Sequence, residues 1–547
     1  MNETTENNAE ERANLTFEME PDPKKKELAF KVVENIHRPL DKWAVAAILE
    51  SMGLRDADAE NEYGVASIFQ LAEEIYDICH RDPEIRELLN QNIKEREKIE
   101  TALKSFLKYY SRGLSFMMPV LGQIGLLFIF RYSLWAYIEF TEAQATVVAL
   151  GTILSFIVTG GFIQAAGRDV LHYLNAREYR LARMAYMRLF RYQCVVVFGF
   201  AGILFGVNFL FPFFKMTMMV HSLIYFVLLS ELWFSLTLLY LIKHYVAVLI
   251  VTVLGILPVW AVMNYTHWGI YNAHFTGLIF ANLMAWIYGA YWFRKRIKAQ
   301  KAKVPVRLPH RAITAYITSL YFVYGVLYFT FLFADRIISW SSFTANAPAT
   351  IIWFRTPYEL GMDWALLSLF VTIALLEFTI ERFSCTIIPI QDNLNIFDMD
   401  QFIRIYQLFH RKQLIALIVL GIGSIMAAYF GVMYLQRFDY IREVRDFFSN
   451  RITYFTFYVA SVSYLFMAIG LFNGLFFLTL SRLSFAVKAI TVGLLVNVFT
   501  GIFLSRWFGY EFGVLGLLAG SVVFAMLSSK YSREYFKKLD YFYYSAY

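Results

Sequence analysis

The sequence predicts an all-α polytopic membrane protein, with about 12 transmembrane helices in two six-helix lobes and a small helical N-terminal cytoplasmic domain. Three observations predict it. Of 547 residues, 58% are hydrophobic and 17% charged, whereas soluble globular chains are about 45–50% apolar and about 25% charged. The apolar excess falls in blocks of roughly 20 residues, the length that crosses a hydrocarbon core about 30 Å thick. Lys and Arg collect on alternate connections between those blocks, as they do when one side of a membrane is cytoplasmic.

Residues 1–22 are polar and acidic and predict a disordered tail without a cleavable signal peptide. Residues 23–110 predict a helical cytoplasmic domain. The run EYGVASIFQLAEEIYDICH places apolar residues at helical spacing, and DPEIREL offers Asp82 as an N-cap with Pro83 at the first helical position. Twelve spans follow, near 114–138, 143–166, 189–213, 216–242, 245–266, 270–293, 312–334, 357–384, 413–435, 453–479, 484–504 and 511–529. Pro119 and Pro258 are expected to break spans one and five locally.

With the N-terminus inside, the inner connections hold roughly 28 Lys and Arg against roughly 8 outside. Both termini are therefore expected in the cytoplasm. The loop QRFDYIREVRDFFSNR dissents with four arginines, although Asp439, Glu443 and Asp446 offset them. The net charge of +7 follows from this bias and does not call for nucleic acid. Cys79, Cys194 and Cys385 lie far apart and predict reduced structural thiols.

The basic linker 294–311 divides the spans into lobes at 111–293 and 312–529, with a cytoplasmic tail at 530–547. Span one ends GLLFIFRYSLWAY and span seven YFTFLFADRIISW. Each closes on an aromatic run, an Arg and a Trp four residues later, which fits a duplicated six-span unit. Transporters are commonly built from such halves around a central site.

Span eight begins TPYELGMDWALLSLFVTIALLEFTIER. At about 100° per residue, Glu359, Asp363, Glu377 and Glu381 share an arc of about 40°, with Phe370 and Ala374 on the same stripe. Acids in a span face a bundle interior or a wet cavity, because lipid exposure costs several kcal/mol. Thr356-Pro357-Tyr358-Glu359 also has the form of a capping box, and Glu381 precedes Arg382 at the cytoplasmic end. Asp363, Phe370 and Glu377 are thus the sharpest path candidates. Glu231 lies in the middle of span four and is the other candidate coupling acid. Asp335 and Arg336 close span seven, where an interfacial pair is the alternative to a path role. Arg131 is expected to pair with an acid or to snorkel. Lys488 is expected to snorkel, and Asn208, Asn282 and Asn497 to bond between helices.

Catalytic and metal motifs are missing. No GxxxxGK[ST] or HExxH occurs, the Asp398-Met-Asp400 triplet has no catalytic fold around it, and Asn264 in NYT hugs the membrane. The chain is expected to be no enzyme and to need no cofactor or metal.

FADRIISW followed by RTPYELGMDWALLSL resembles the Pel exopolysaccharide transporter (PelG-like) family of the multidrug/oligosaccharidyl-lipid/polysaccharide flippase superfamily. LLEFTIERF, the aromatic tail KKLDYFYYSAY and the count of twelve spans are also similar. The resemblance covers about residues 110–547 and is clearest over 320–385. It departs at the start, where about 110 residues precede span one.

The resemblance implies a bacterial inner-membrane translocator within a synthase-export complex. A cytosolic glycosyltransferase and other membrane subunits would be its partners, and a polysaccharide of amino-sugar type its substrate. Alternative readings are a lipid-linked oligosaccharide flippase or drug exporter of the same superfamily, or a non-transporting scaffold for a glycosyltransferase. The scaffold would depend on the N-terminal helices and dispense with the acids of span eight.

Overall fold

The computed structural model describes residues 22–36, 42–52, 54–82, 85, 102–300, 308–343, 351–393, 399–437, 447–479 and 482–537. Its regular elements there are helices α1 Pro23–Ile36, α2 Lys42–Ser51, α3 Asp56–Tyr63, α4 Ile68–Arg81, α5 Ala102–Phe130, α6 Glu142–Asn175, α7 Tyr179–Leu210, α8 Met216–Leu241, α9 Tyr245–Leu254, α10 Ile256–Tyr265, α11 Gly269–Ala299, α12 Arg311–Trp340, α13 Thr356–Asn393, α14 Met399–Leu435, α15 Arg451–Thr479, α16 Leu483–Trp507 and α17 Gly513–Lys537, with a 3-10 turn at Tyr510–Phe512. The chain divides into two compact units. One holds residues 1–106 and 382–398, the other residues 107–381 and 399–547. The expected tail, most of the segment after Asp82, Asp398 and the aromatic C-terminus lie outside the described residues.

In the first unit α1–α4 bury Leu28, Val32, Val45, Leu49, Leu71, Ile75 and Cys79 in one core. The run EYGVASIFQLAEEIYDICH, with its apolar residues at helical spacing, is divided between the end of α3 and α4. Gly64 takes φ +67 and stops α3, and the Ser67 hydroxyl accepts from the Gln70 N–H to start α4. A residue with a Cβ pays for that left-handed turn, which glycine adopts freely. Asp82 ends α4 and accepts from the Ile85 N–H at 3.3 Å, as the N-cap reading requires. Burial pushes the Cys79 thiol up to about 11. At neutral pH the Cys79 peptide should therefore resist maleimide until denaturant is added, as peptide mass mapping can check. Rapid labelling of the native protein would contradict this packing.

In the second unit, ten stretches among the described residues are long and apolar enough to cross a membrane. They account for ten of the twelve expected spans. The remaining two fall on α5 and α11, helices of 29 and 31 residues. Span one is shorter at its end than expected. Helix α5 stops at Phe130, and residues 131–141 form a turn with Arg131 at φ +67 and a bridge between Tyr132 and Tyr137.

The proline expectations divide. Span five is interrupted at Gly255, between α9 and α10. Pro258 has no N–H to give the Leu254 carbonyl, which places the interruption there. Helix α5, by contrast, continues through Pro119.

On the division expected at residues 294–311, α5–α11 fall in the first lobe and α12–α17 in the second. They meet along two seams of small residues. At the α6–α12 seam, a Cβ built on Gly325 would lie 2.2 Å from the Gly160 carbonyl oxygen. At the α5–α13 seam, a Cβ on Gly113 would lie 2.2 Å from the Ala374 carbonyl oxygen. Helices in lipid associate through such close backbone approach, because apolar side chains gain little by leaving an apolar solvent.

Candidate functional site

The α12–α13 end of the second lobe gathers an unusual set of ionisable groups. Asp335 and Arg336 lie one turn before the end of α12, and Tyr358, Glu359 and Asp363 occupy the opening turns of α13. Arg336 Nη1 pairs with Glu359 Oε2, and Nη2 lies 2.9 Å from Asp363 Oδ1. The Trp340 indole N–H donates to Glu359 Oε1 at 2.7 Å. The Tyr358 hydroxyl donates to Asp335 Oδ2 at 2.7 Å.

Asp335, Tyr358, Trp340 and Glu359 are buried, whereas the Asp363 side chain is 63% exposed. Two carboxyls thus meet one guanidinium, and a third, that of Asp335, lies beside them on the Tyr358 hydroxyl. Asp335 Oδ1 and the fully buried Tyr464 hydroxyl of α15, which faces Arg336, make no well-aligned hydrogen bond among the described residues. Glu359 and Asp335 are walled off from water, where an uncompensated charge is costly, whereas Asp363 opens to the surface.

An aromatic ladder adjoins the cluster and crosses from lobe to lobe. Trp135 meets Trp233 edge-on at 5.4 Å. Trp233 stacks on Phe156 at 4.4 Å, and Phe156 stacks on Phe329 at 5.3 Å and Phe333 at 5.7 Å. The Phe333 ring lies 5.7 Å from the Arg336 guanidinium, within cation–π range. Trp233 is held in place by a 3.0 Å bond from its indole N–H to Ser155 Oγ.

The sequence-derived candidates separate accordingly. Glu359 does not complete a capping box: its carboxylate is taken by Arg336 and Trp340, and Thr356 is the first helical residue, its hydroxyl 3.5 Å from Glu142. Asp335 and Arg336 do not pair as interfacial neighbours. Each reaches across to α13 instead. Asp363 joins the cluster through Arg336. Phe370 is half-buried farther along the stripe, and Ala374 is buried against Gly113. Glu377 is half-buried one turn beyond Ala374, and the Glu381 side chain lies outside the described residues.

Arg131 is away from this site. It pairs with Glu139 at 3.0 Å, both half exposed, in the turn after α5. Lys488 is exposed, as a snorkelling residue is. Asn282 and Asn497 bond across helices to the Leu228 and Phe331 carbonyls, but Asn208 closes a local turn with Phe214. Tyr358, Trp340 and Tyr464 were not among the sequence candidates. The signal available was only that Tyr358 precedes Glu359 and that Trp340 follows Arg336 by four residues, one helical turn.

These helices and seams define a multi-pass membrane protein with a two-lobed fold of the MATE type. The chain is similar to an outward-facing multidrug resistance MATE family transporter of the MOP superfamily, with a TM-score of 0.54 and 11% identity over 80% of this chain and 96% of that one. It is also similar to the eukaryotic MATE transporter AtDTX14, with a TM-score of 0.54 and 12% identity over 84% and 99%. An inward-facing MATE structure matches with a TM-score of 0.52 and 11% identity over 78% and 98%. At such identities the likeness is one of fold. No protein family model matches the chain, and no curated protein matches it.

Proposed function

We propose that the chain is an inner-membrane translocator that exports a polysaccharide bearing hydroxyl and amine groups, working beside a cytosolic glycosyltransferase in a synthase-export complex. The acid cluster adjoining an aromatic ladder at the lobe seam carries this reading. Carboxylates bond to sugar hydroxyls and ammonium groups, and aromatic faces pack against the apolar faces of sugar rings, keeping a polar polymer in register. The orientation expected from the positive-inside bias places the Asp335–Arg336–Glu359 cluster at the outer mouth and Glu377 near the cytoplasmic one. The acid stripe of α13 then runs between the two. The N-terminal helical domain, on the cytoplasmic side, is the surface offered to the glycosyltransferase.

Polymer secretion by Glu377→Gln and Asp363→Asn variants tests the reading, with membrane insertion and recovery of the glycosyltransferase in pull-downs measured alongside. Both variants should insert and keep the partner, yet secrete several-fold less polymer. Normal secretion by both would remove the stripe from the path.

The solved MATE structures favour a second reading, a drug or lipid-linked oligosaccharide exporter on the same scaffold. It predicts intact polymer secretion in a deletion strain and altered efflux of small amphiphiles.

A further inference from the structure

We propose that Glu231, with Gln193 and Cys194, forms a proton-binding site inside the first lobe, separate from the Asp335–Arg336 cluster of the second. Glu231 lies in the middle of α8 and is half-buried. The Cys194 thiol of α7 donates to its Oε1 at 3.4 Å. The neighbouring Gln193 is fully buried with its amide facing the Glu231 carboxyl, and neither its Oε1 nor its Nε2 makes a well-aligned hydrogen bond among the described residues. A buried amide with both ends open next to a half-buried acid is costly unless the two exchange a hydrogen bond.

The surroundings decide what the acid holds. Helix α8 packs against α6, α7, α9 and α11. From α7 it meets the Cys194 thiol and the Tyr186 phenol, whose hydroxyl donates to the Phe234 carbonyl at 3.1 Å. From α6 and α11, Ser155 and Asn282 bond to α8 at Trp233, Leu228 and Ser235. Among the described residues no Lys, Arg or His pairs with Glu231. A lone carboxylate in an apolar span is expensive, and taking up a proton removes the charge.

Both states can be satisfied locally. In the acid form the carboxyl O–H donates to Gln193 Oε1, while the other oxygen accepts the thiol. When the O–H bond breaks and the proton leaves to water, the amide turned over donates its Nε2–H to the anion. The amide orientation is set by this network. Trp233, two residues on along α8, stacks on Phe156, the ring that bridges into the second lobe. The helix that binds the proton therefore also touches the lobe seam.

Use of this proton in transport rests on the proposed export function, whereas proton binding does not. Infrared difference spectra of the full-length protein in lipid vesicles, wild type minus Glu231→Gln, test the binding. The expected difference at neutral pH is the C=O band of a protonated carboxyl, lost in the variant and fading in wild type as pH rises. Loss of carboxylate bands instead would overturn the site. If Glu231→Gln fails to assemble, wild type alone serves: dicyclohexylcarbodiimide should modify Glu231 at neutral pH and less as pH rises. An unmodified Glu231 peptide from acidic to alkaline pH would overturn it. If the band is present but Glu231→Gln secretes polymer normally, the proton site stands and its part in export falls.

Discussion

Arg336→Leu should be the most destabilising single change at the second-lobe cluster. The substitution leaves Glu359 buried with only the Trp340 indole for company, and Asp363 and Asp335 beside it without a cation. Removing one partner of a buried pair costs about 3–5 kcal/mol, because the desolvated charge left behind has nothing to offset it. Size-exclusion profiles of heated, detergent-solubilised protein should show a large fall in the midpoint of thermal inactivation. Arg336→Lys keeps the charge but not the fork that reaches Glu359 and Asp363 together, so it should fall between the two. The Arg336→Leu, Glu359→Leu double variant should recover much of the loss, since removing both charges removes the desolvation cost. A single variant that melts with wild type would show that this pair does not hold α12 to α13.

Gly325→Val should separate the lobes at their closest seam. Its Cβ would lie 2.2 Å from the Gly160 carbonyl oxygen and 2.7 Å from the Gly160 carbonyl carbon, both backbone atoms, with Gln164 Cγ at 2.8 Å. Rotamer changes cannot relieve such a clash, so α6 and α12 must move apart. Overpacking typically costs about 1–3 kcal/mol, and here it also pulls Phe329 away from Phe156. Cysteines placed at Phe156 and Phe329, whose ring centroids lie 5.3 Å apart, should be bridged readily by a short bifunctional maleimide in the parent and poorly with Gly325→Val. Gly423→Val is the control, because nothing lies within 4 Å of a Cβ there. Equal cross-linking in all three would contradict the seam.

Much of the fold was legible because it depends on composition and period. Apolar blocks as long as a bilayer is thick must be helices in lipid, where every backbone group needs an internal partner. Local punctuation was legible too. Pro258 predicted the interruption of span five, and it falls within three residues of it. Pro119 carries the same local signal, yet α5 runs through it.

The site was legible only in part. Periodicity put Glu359, Asp363 and Glu377 on one stripe, but it could not assign their partners. Glu359 has all the local marks of a helix cap, and its carboxylate was spent instead on Arg336, 23 residues earlier. Arg131 and Arg336 stand in matching sequence contexts, an aromatic run before and a Trp four residues after. One ends in an exposed turn with Glu139, the other in a buried acid cluster.

By itself, then, the sequence determined that this chain crosses a membrane many times as helices, where those helices lie, and which face of span eight is acidic. These follow from local chemistry: hydrophobic length, the helical repeat and the absence of water for the backbone. The tertiary structure alone decided which acids meet Arg336, that Gln193 and Cys194 face Glu231, and that Gly160 and Gly325 set the lobe seam. Such pairings join residues on different helices. Their energies depend on burial and distance, which no single helix's sequence carries.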